Sequence, residues 1–179
     1  MWQFEAHGVR VECTGGDITN QRDLDAIVNA ANAELMPGSG VAGAIHAAAG
    51  PGLAEACEPL APINPGEAVI TDAHDLPNRF VIHCLGPVYG RDRPESELLT
   101  NCYRSALRLA NEKDIRSIAF PAISTGAFGY PMPQAALVAA DAVFEALPRM
   151  SSVELIRFVL FDETALHIHE EIFAATFGG

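Results

Sequence analysis

Short runs of β-branched and apolar residues alternate along the chain with longer stretches in which apolar residues recur every three to four positions. Residues 9–13, 26–29, 68–71, 80–84, 117–120 and 153–161 read as strands, and several are apolar without interruption, as strands covered on both faces must be. Residues 41–49, 96–113, 133–147 and 162–177 read as helices. In the second of these Leu98, Leu99, Cys102, Ala106, Leu109 and Ala110 form one apolar stripe. In the third, Pro131 and Pro133 suit a helix start, and Ala136, Ala139, Val143 and Leu147 share the inward face. The alternation predicts an α/β fold, a three-layer α/β/α sandwich around a central mixed, largely parallel sheet. Ligands of such sheets bind outside the carboxyl ends of the strands, on the loops that follow them.

Composition narrows the function. With 179 residues, 49% apolar and 19% charged, the chain is expected to form one domain over residues 1–179, with a core that needs no staples. The cysteines Cys13, Cys57, Cys84 and Cys102 show no C-x-x-C spacing and no histidine cluster, so neither a disulfide framework nor a metal site is expected. The first residues lack the basic and apolar regions of a signal peptide, which points to the cytoplasm. Net charge is −12, with ten arginines and the single lysine Lys113, and such a balance disfavours duplex nucleic acid. Residues 35–54 and 117–140 carry no charge at all, yet glycines and prolines interrupt both, so neither spans a membrane.

Each uncharged stretch contains a glycine loop. The first, Gly38-Ser39-Gly40-Val41-Ala42-Gly43, is a literal G-x-G-x-x-G. The dinucleotide fingerprint needs a strand running straight into the glycines, and here Asn32, Glu34 and Pro37 intervene, so a Rossmann site is rejected. What survives is backbone that can approach a ligand, followed by a helix start whose free N–H groups favour an anion. The second loop, Ile123-Ser124-Thr125-Gly126-Ala127-Phe128-Gly129-Tyr130-Pro131, is longer than a simple strand-to-helix connection and reads as a second phosphate cradle. A phosphate held by these loops would be neutralised by amides and hydroxyls, with no Lys or Arg. Asn29 and Asn32, at the end of a strand, suit sugar hydroxyls and a positioned water as well as they suit a turn. Asp17, in Gly16-Asp17-Ile18-Thr19, reads as a helix N-cap or as an acceptor for an exocyclic amine. Among the histidines, His167 and His169 point to different helix faces, His83 reads as a core residue, and His46 as structural or close to the site. Cys84 beside His83 is the nearest approach to a Cys–His nucleophile.

Gly16-Asp17-Ile18-Thr19, Asp25-Ala26-Ile27-Val28-Asn29-Ala30-Ala31-Asn32, the first glycine loop, Val81-Ile82-His83 with Gly86-Pro87, and the second loop together resemble the macrodomain family, most closely its MacroD-type branch. The resemblance runs from about Val9 to Phe177. It implies ADP-ribose binding and, for many members, hydrolysis of ADP-ribose from acidic side chains or deacetylation of O-acetyl-ADP-ribose, with no cofactor. By the match, Asp17 contacts the adenine amino group and Ile18 offers an amide beside it. Asn32 holds the distal ribose and orients the attacking water, with Asn29 close behind. Gly38, Ser39, Gly40, Val41 and Ala42 form the first binding loop. Ser124, Thr125, Gly126, Ala127 and Phe128 wrap the diphosphate, Phe128 also flanking the ribose. Phe161 is the candidate to stack on adenine. The implied catalytic set is Asn32, Asn29 and Phe128.

One position departs from the pattern. MacroD-type sequences carry an Asp, assigned to water activation, where this chain has Ala42, although other members with V-A-G here are still hydrolases. The expectation is a slow ADP-ribosyl ester hydrolase, acting on ADP-ribosylated proteins or O-acetyl-ADP-ribose. The alternative is a reader that binds ADP-ribose without turnover. Trp2 and Phe4 leave open packing within the chain or against a partner.

Overall fold

The computed structural model describes residues 1–178. Strand β1 (Trp2–Ala6) turns into β2 (Val9–Gly15) through His7 and Gly8, both at positive φ (53° and 75°), the pairing that matches the twist of an antiparallel hairpin. Sequence periodicity left β1 unassigned, since it is a short edge strand of alternating exposure. Trp2 and Phe4 pack within the chain, against Phe173 and Phe177 at centroid distances of 5.2–5.7 Å.

The remaining strands are β3 (Ala26–Ala30), β4 (Ala68–Asp72), β5 (Phe80–Cys84), β6 (Ser117–Phe120) and β7 (Leu155–Leu160). They form one seven-stranded sheet in the order β1-β2-β7-β6-β3-β5-β4. The five central strands β2, β7, β6, β3 and β5 are mutually parallel, and β1 and β4 close the edges antiparallel. This is the expected mixed, largely parallel α/β sheet.

The helices are α1 (Gly40–Ala49), α2 (Pro51–Cys57), α3 (Glu95–Glu112), α4 (Met132–Ala146) and α5 (Glu163–Gly178). On one face of the sheet α3, α4 and α5 cover a core centred on Tyr103, Phe120, Phe158 and Phe173. On the other, α1 and α2 cover Ile27, Ile45, Leu53 and Val81. The α3 stripe is wider than expected, because Tyr103 and Leu107 are buried as well, while Leu98 and Leu109 are only half-buried. The separate helix α2 was missed. Gly50 (φ 81°) ends α1 where the sequence reading ended it, and Pro51 starts a second, seven-residue helix that the reading left unassigned. The last strand is shorter than residues 153–161, and Phe161 lies in the bend beyond it. All four cysteines are free and buried. No described helix is long and apolar enough to cross a membrane.

Candidate active site

Because the five parallel strands run the same way, their carboxyl ends share one edge, and the loops leaving β3, β5 and β6 enclose a cleft of about 190 Å³. It brings together Asn32, residues 38–42, Gly86, and Ser124, Gly126, Ala127 and Phe128. Not one lining side chain is charged.

The first wall is the start of α1. Its N-cap, Ser39, makes no side-chain cap bond among the described residues, and the first helical residues, Gly40, Val41 and Ala42, line the cleft. A Cβ on Gly43 would collide with the Gly38 carbonyl, so the turn requires glycine there. Asn32 closes the loop before it: Nδ2 donates to the Met36 carbonyl (2.8 Å) and Oδ1 accepts the Met36 amide (3.0 Å). Each amide atom of Asn32 keeps one further hydrogen-bonding position for a ligand.

The second wall is the loop after β6. It is pinned by Tyr130 N donating to Ser124 O (2.9 Å), Gly129 N to Gly126 O (3.0 Å) and Tyr89 N to Phe128 O (2.8 Å). Among the described residues, no acceptor takes the amides of Thr125, Gly126, Ala127 or Phe128. Ser124 sits in the left-handed region (φ 67°), and its Oγ is buried without a partner. Strain and an unpartnered hydroxyl thus coincide at this one residue of the cleft wall. Gly86 faces Ser124 so closely that any Cβ there would overlap the hydroxyl.

Asn29 is placed elsewhere. It is 1% exposed and faces away from the cleft, its Nδ2 3.1 Å from His83 Nδ1. His83 Nε2 in turn lies 3.0 Å from Thr71 Oγ1 and 3.7 Å from Cys57 Sγ. Burial drives His83 down to about 3, so the ring is neutral; with Asn29 donating to Nδ1, the ring proton sits on Nε2 and is donated to Thr71. The cysteine beside His83 is therefore Cys57, on α2, and not Cys84, an approach that only the tertiary fold makes. It is no nucleophile pair, since burial raises the thiol and the imidazole is too weak a base. His46, buried on α1, makes no hydrogen bond with either ring nitrogen, and burial lowers its pKa.

Asp17, Ile18, Thr125 and Phe161 lie outside the cleft lining. Asp17 does not cap a helix, because none follows; its Oδ1 accepts Thr19 N (2.9 Å) and Thr19 Oγ1 (2.7 Å), a local turn that holds the carboxyl below its usual range. Ile18 is buried, and Thr125 Oγ1 donates to Ala122 O (3.1 Å). Phe161 is 95% exposed. Yet Gly16 N donates to Leu160 O (3.1 Å), so the Asp17 turn and Phe161 stand side by side at the ends of β2 and β7, beyond β6 from the cleft. Arg157, which the sequence reading passed over, builds this end. It binds Glu12 (2.9 Å), Gln21 (3.0 Å) and Asp23 (2.9 Å), and Gln21 holds Asp17 O (2.8 Å). Its signal was legible as a lone cation in an otherwise apolar strand. His167 and His169 diverge as expected, His167 to Glu171 and His169 to the Ala165 carbonyl. No cluster of three or more metal-ligating side chains occurs among the described residues.

Residues 28–139, which supply both cleft walls, match the sequence model of the Macro domain. The chain belongs to the Macro domain family. It is 47% identical over 168 residues to an O-acetyl-ADP-ribose deacetylase of Enterobacter cloacae, covering 91% of this chain and 93% of that protein. It is 48% identical to a macro domain-containing protein of Chlorobaculum tepidum, covering 93% and 97%. A single-residue variant of the Oceanobacillus iheyensis macrodomain, solved with ADPR, superposes with a TM-score of 0.95 at 38% identity and covers 99% of both chains. The Trypanosoma brucei macrodomain in complex with ADP-ribose gives 0.84 at 37% identity, covering 90% of this chain and 68% of that one.

Proposed function

We propose that this macrodomain binds ADP-ribose in the cleft and hydrolyses ADP-ribosyl esters, by O-acetyl-ADP-ribose deacetylation or by release of mono-ADP-ribose from acidic side chains. The observation that carries the reading is the uncharged lining, with free amides on both walls and the orphaned Ser124 hydroxyl between them. A diphosphate fits such a lining because fixed amide dipoles are already aimed and need no counter-charge. The relatives named O-acetyl-ADP-ribose deacetylases support the ester chemistry.

In this reading the diphosphate lies between the start of α1 and residues 124–128, and Phe128 covers the distal ribose. The adenine extends toward Asp17, with Ile18 and Phe161 beside it. Asn32 uses its remaining donor and acceptor on the ribose and on a water. The water oxygen attacks the ester carbonyl carbon while its proton passes to a phosphate oxygen of the substrate. Glycine amides stabilise the oxyanion, and the bond from carbonyl carbon to ribose oxygen then breaks, with the proton returned to the ribose. Asn29 acts from behind, holding the β3 end through His83. Ala42 places a methyl where MacroD-type enzymes carry a carboxylate, so turnover is slow.

The same lack of a titratable lining side chain favours a second reading, a binding module without turnover. Single-turnover acetate release from O-acetyl-ADP-ribose separates the two. Wild type should release acetate and Asn32→Ala about 10²-fold more slowly, with ADP-ribose affinity changed less than rate. Tight binding without release by wild type would establish the reader.

A further inference from the structure

A second, larger groove of about 580 Å³ runs along the outer side of α3, away from the glycine loops. Both of its ends are built. At one, Gly66 (φ 89°) approaches α3 so closely that a Cβ would lie 3.3 Å from Asn101 Cβ, and Ser105 Oγ donates to Gly66 O (3.3 Å). At the other, Asn111 clamps the turn after α4, donating to Arg149 O (3.3 Å) and accepting Ser151 N (3.1 Å). The clamp sets Arg149 against α3, where Arg104 and Arg108 occupy successive turns of one face, roughly 5–6 Å apart at Cβ.

The charge of this groove opposes that of the molecule. In a chain of net charge −12, its lining holds three guanidiniums and one carboxylate, and that carboxylate, Glu67, is already bound to Asn64 N (2.6 Å). Arg104 meets Glu145 at 3.1 Å and Arg108 meets Glu112 at 3.9 Å, all four side chains more than half exposed, so both pairs exchange readily. Arg149 forms no ion pair among the described residues. A single carboxylate from a ligand would only replace like with like. A chain of phosphates brings several charges to three forks at once, with bidentate geometry. No aromatic side chain lines the groove, so a nucleobase has no surface on which to stack.

We propose that this groove is a second ligand site, taking a short oligophosphate, either free or carried by a nucleotide, through Arg104, Arg108 and Arg149. The test titrates sodium tripolyphosphate, without divalent metal, into the isotopically labelled full chain and follows arginine Nε–Hε and backbone amide signals. Tripolyphosphate should shift Arg104, Arg108 and Arg149 before the amides of residues 38–42 and 124–128. Arg104→Glu with Arg149→Glu should weaken binding at the groove about tenfold or more, leaving ADP-ribose affinity unchanged. ATP in a parallel arm separates the sources. Equal affinity shows that the phosphates alone are read, and tighter ATP binding with the same arginine shifts assigns a nucleotide. An octaglutamate peptide that binds the groove more tightly than tripolyphosphate would overturn the proposal. So would arginine signals that do not move, or reversed charges that leave affinity intact.

Discussion

The cleft at the strand ends has no charged side chain in its lining, whereas the groove along α3 presents three guanidiniums against one carboxylate. What the cleft offers an anion is main-chain N–H groups whose direction is set by the fold: the uncapped start of α1 and the free amides of residues 125–128. The groove relies on long exposed side chains that must be ordered when the ligand arrives. Fixed dipoles lose little entropy and depend little on salt, but they tolerate no change of backbone shape. Flexible cations tolerate almost any change of shape and fail when their charge is reversed.

The largest contrast lies beneath the cleft. His83 titrates near 3 in the fold against about 6.5 when unfolded, so its stabilisation is complete above pH 6.5 and is lost as pH falls toward 3. The loss is on the order of 4 kcal/mol, with His46 and His169, both lowered by burial, acting in the same direction. Thermal melting of wild type should therefore fall steeply between pH 6.5 and 4, and His83→Gln should flatten that slope; parallel profiles for the two proteins would remove the buried neutral imidazole from the account. The groove lining contains no histidine and predicts no such dependence of its own.

Next comes backbone shape. Gly86→Ala drives a methyl into the Ser124 hydroxyl and into Ile123. It should lower ADP-ribose affinity about 100-fold by calorimetry and destabilise by about 1–3 kcal/mol, without affecting the α3 groove. Normal ADP-ribose binding would show that the second loop is not preformed. Ser124→Ala gives a smaller effect of opposite signs. Removing the orphaned hydroxyl should stabilise the free protein by about 1 kcal/mol in denaturant titrations, yet weaken ADP-ribose about tenfold. A loss of both would make the hydroxyl structural. The smallest effect is expected at the groove, where Arg104→Glu with Arg149→Glu should leave unfolding free energy within about 0.5 kcal/mol of wild type.

Much of this was legible residue by residue. Short, mostly apolar runs such as residues 80–84 and 117–120 read as strands, and both match the observed bounds. The two glycine loops stood out because charge was missing from them, and both line the cleft. Other features left weak local signals. Strand β1 alternates over only five residues, and α2 is a seven-residue helix that begins directly after Gly50. Asn29 and Asn32 look equivalent in sequence. Strand alternation turns Asn29 into the sheet interior toward His83, whereas Asn32, beyond the strand end, reaches the cleft.

Periodicity, the glycines and the absence of charge thus set the layers and marked the two loops that line the cleft, because each acts through neighbours a few residues apart. The family showed only as a resemblance of motifs. Contacts between distant segments required the packed chain: Cys57 against His83 across 26 residues, Arg157 against Asp23 across 134, and Asn111 against Arg149 across 38. So did the orphaned state of Ser124, against which Gly86 packs from the loop after β5. Which polar group finds a partner is decided by three-dimensional proximity. A one-dimensional pattern carries burial and turn chemistry, but it does not say which side chains meet.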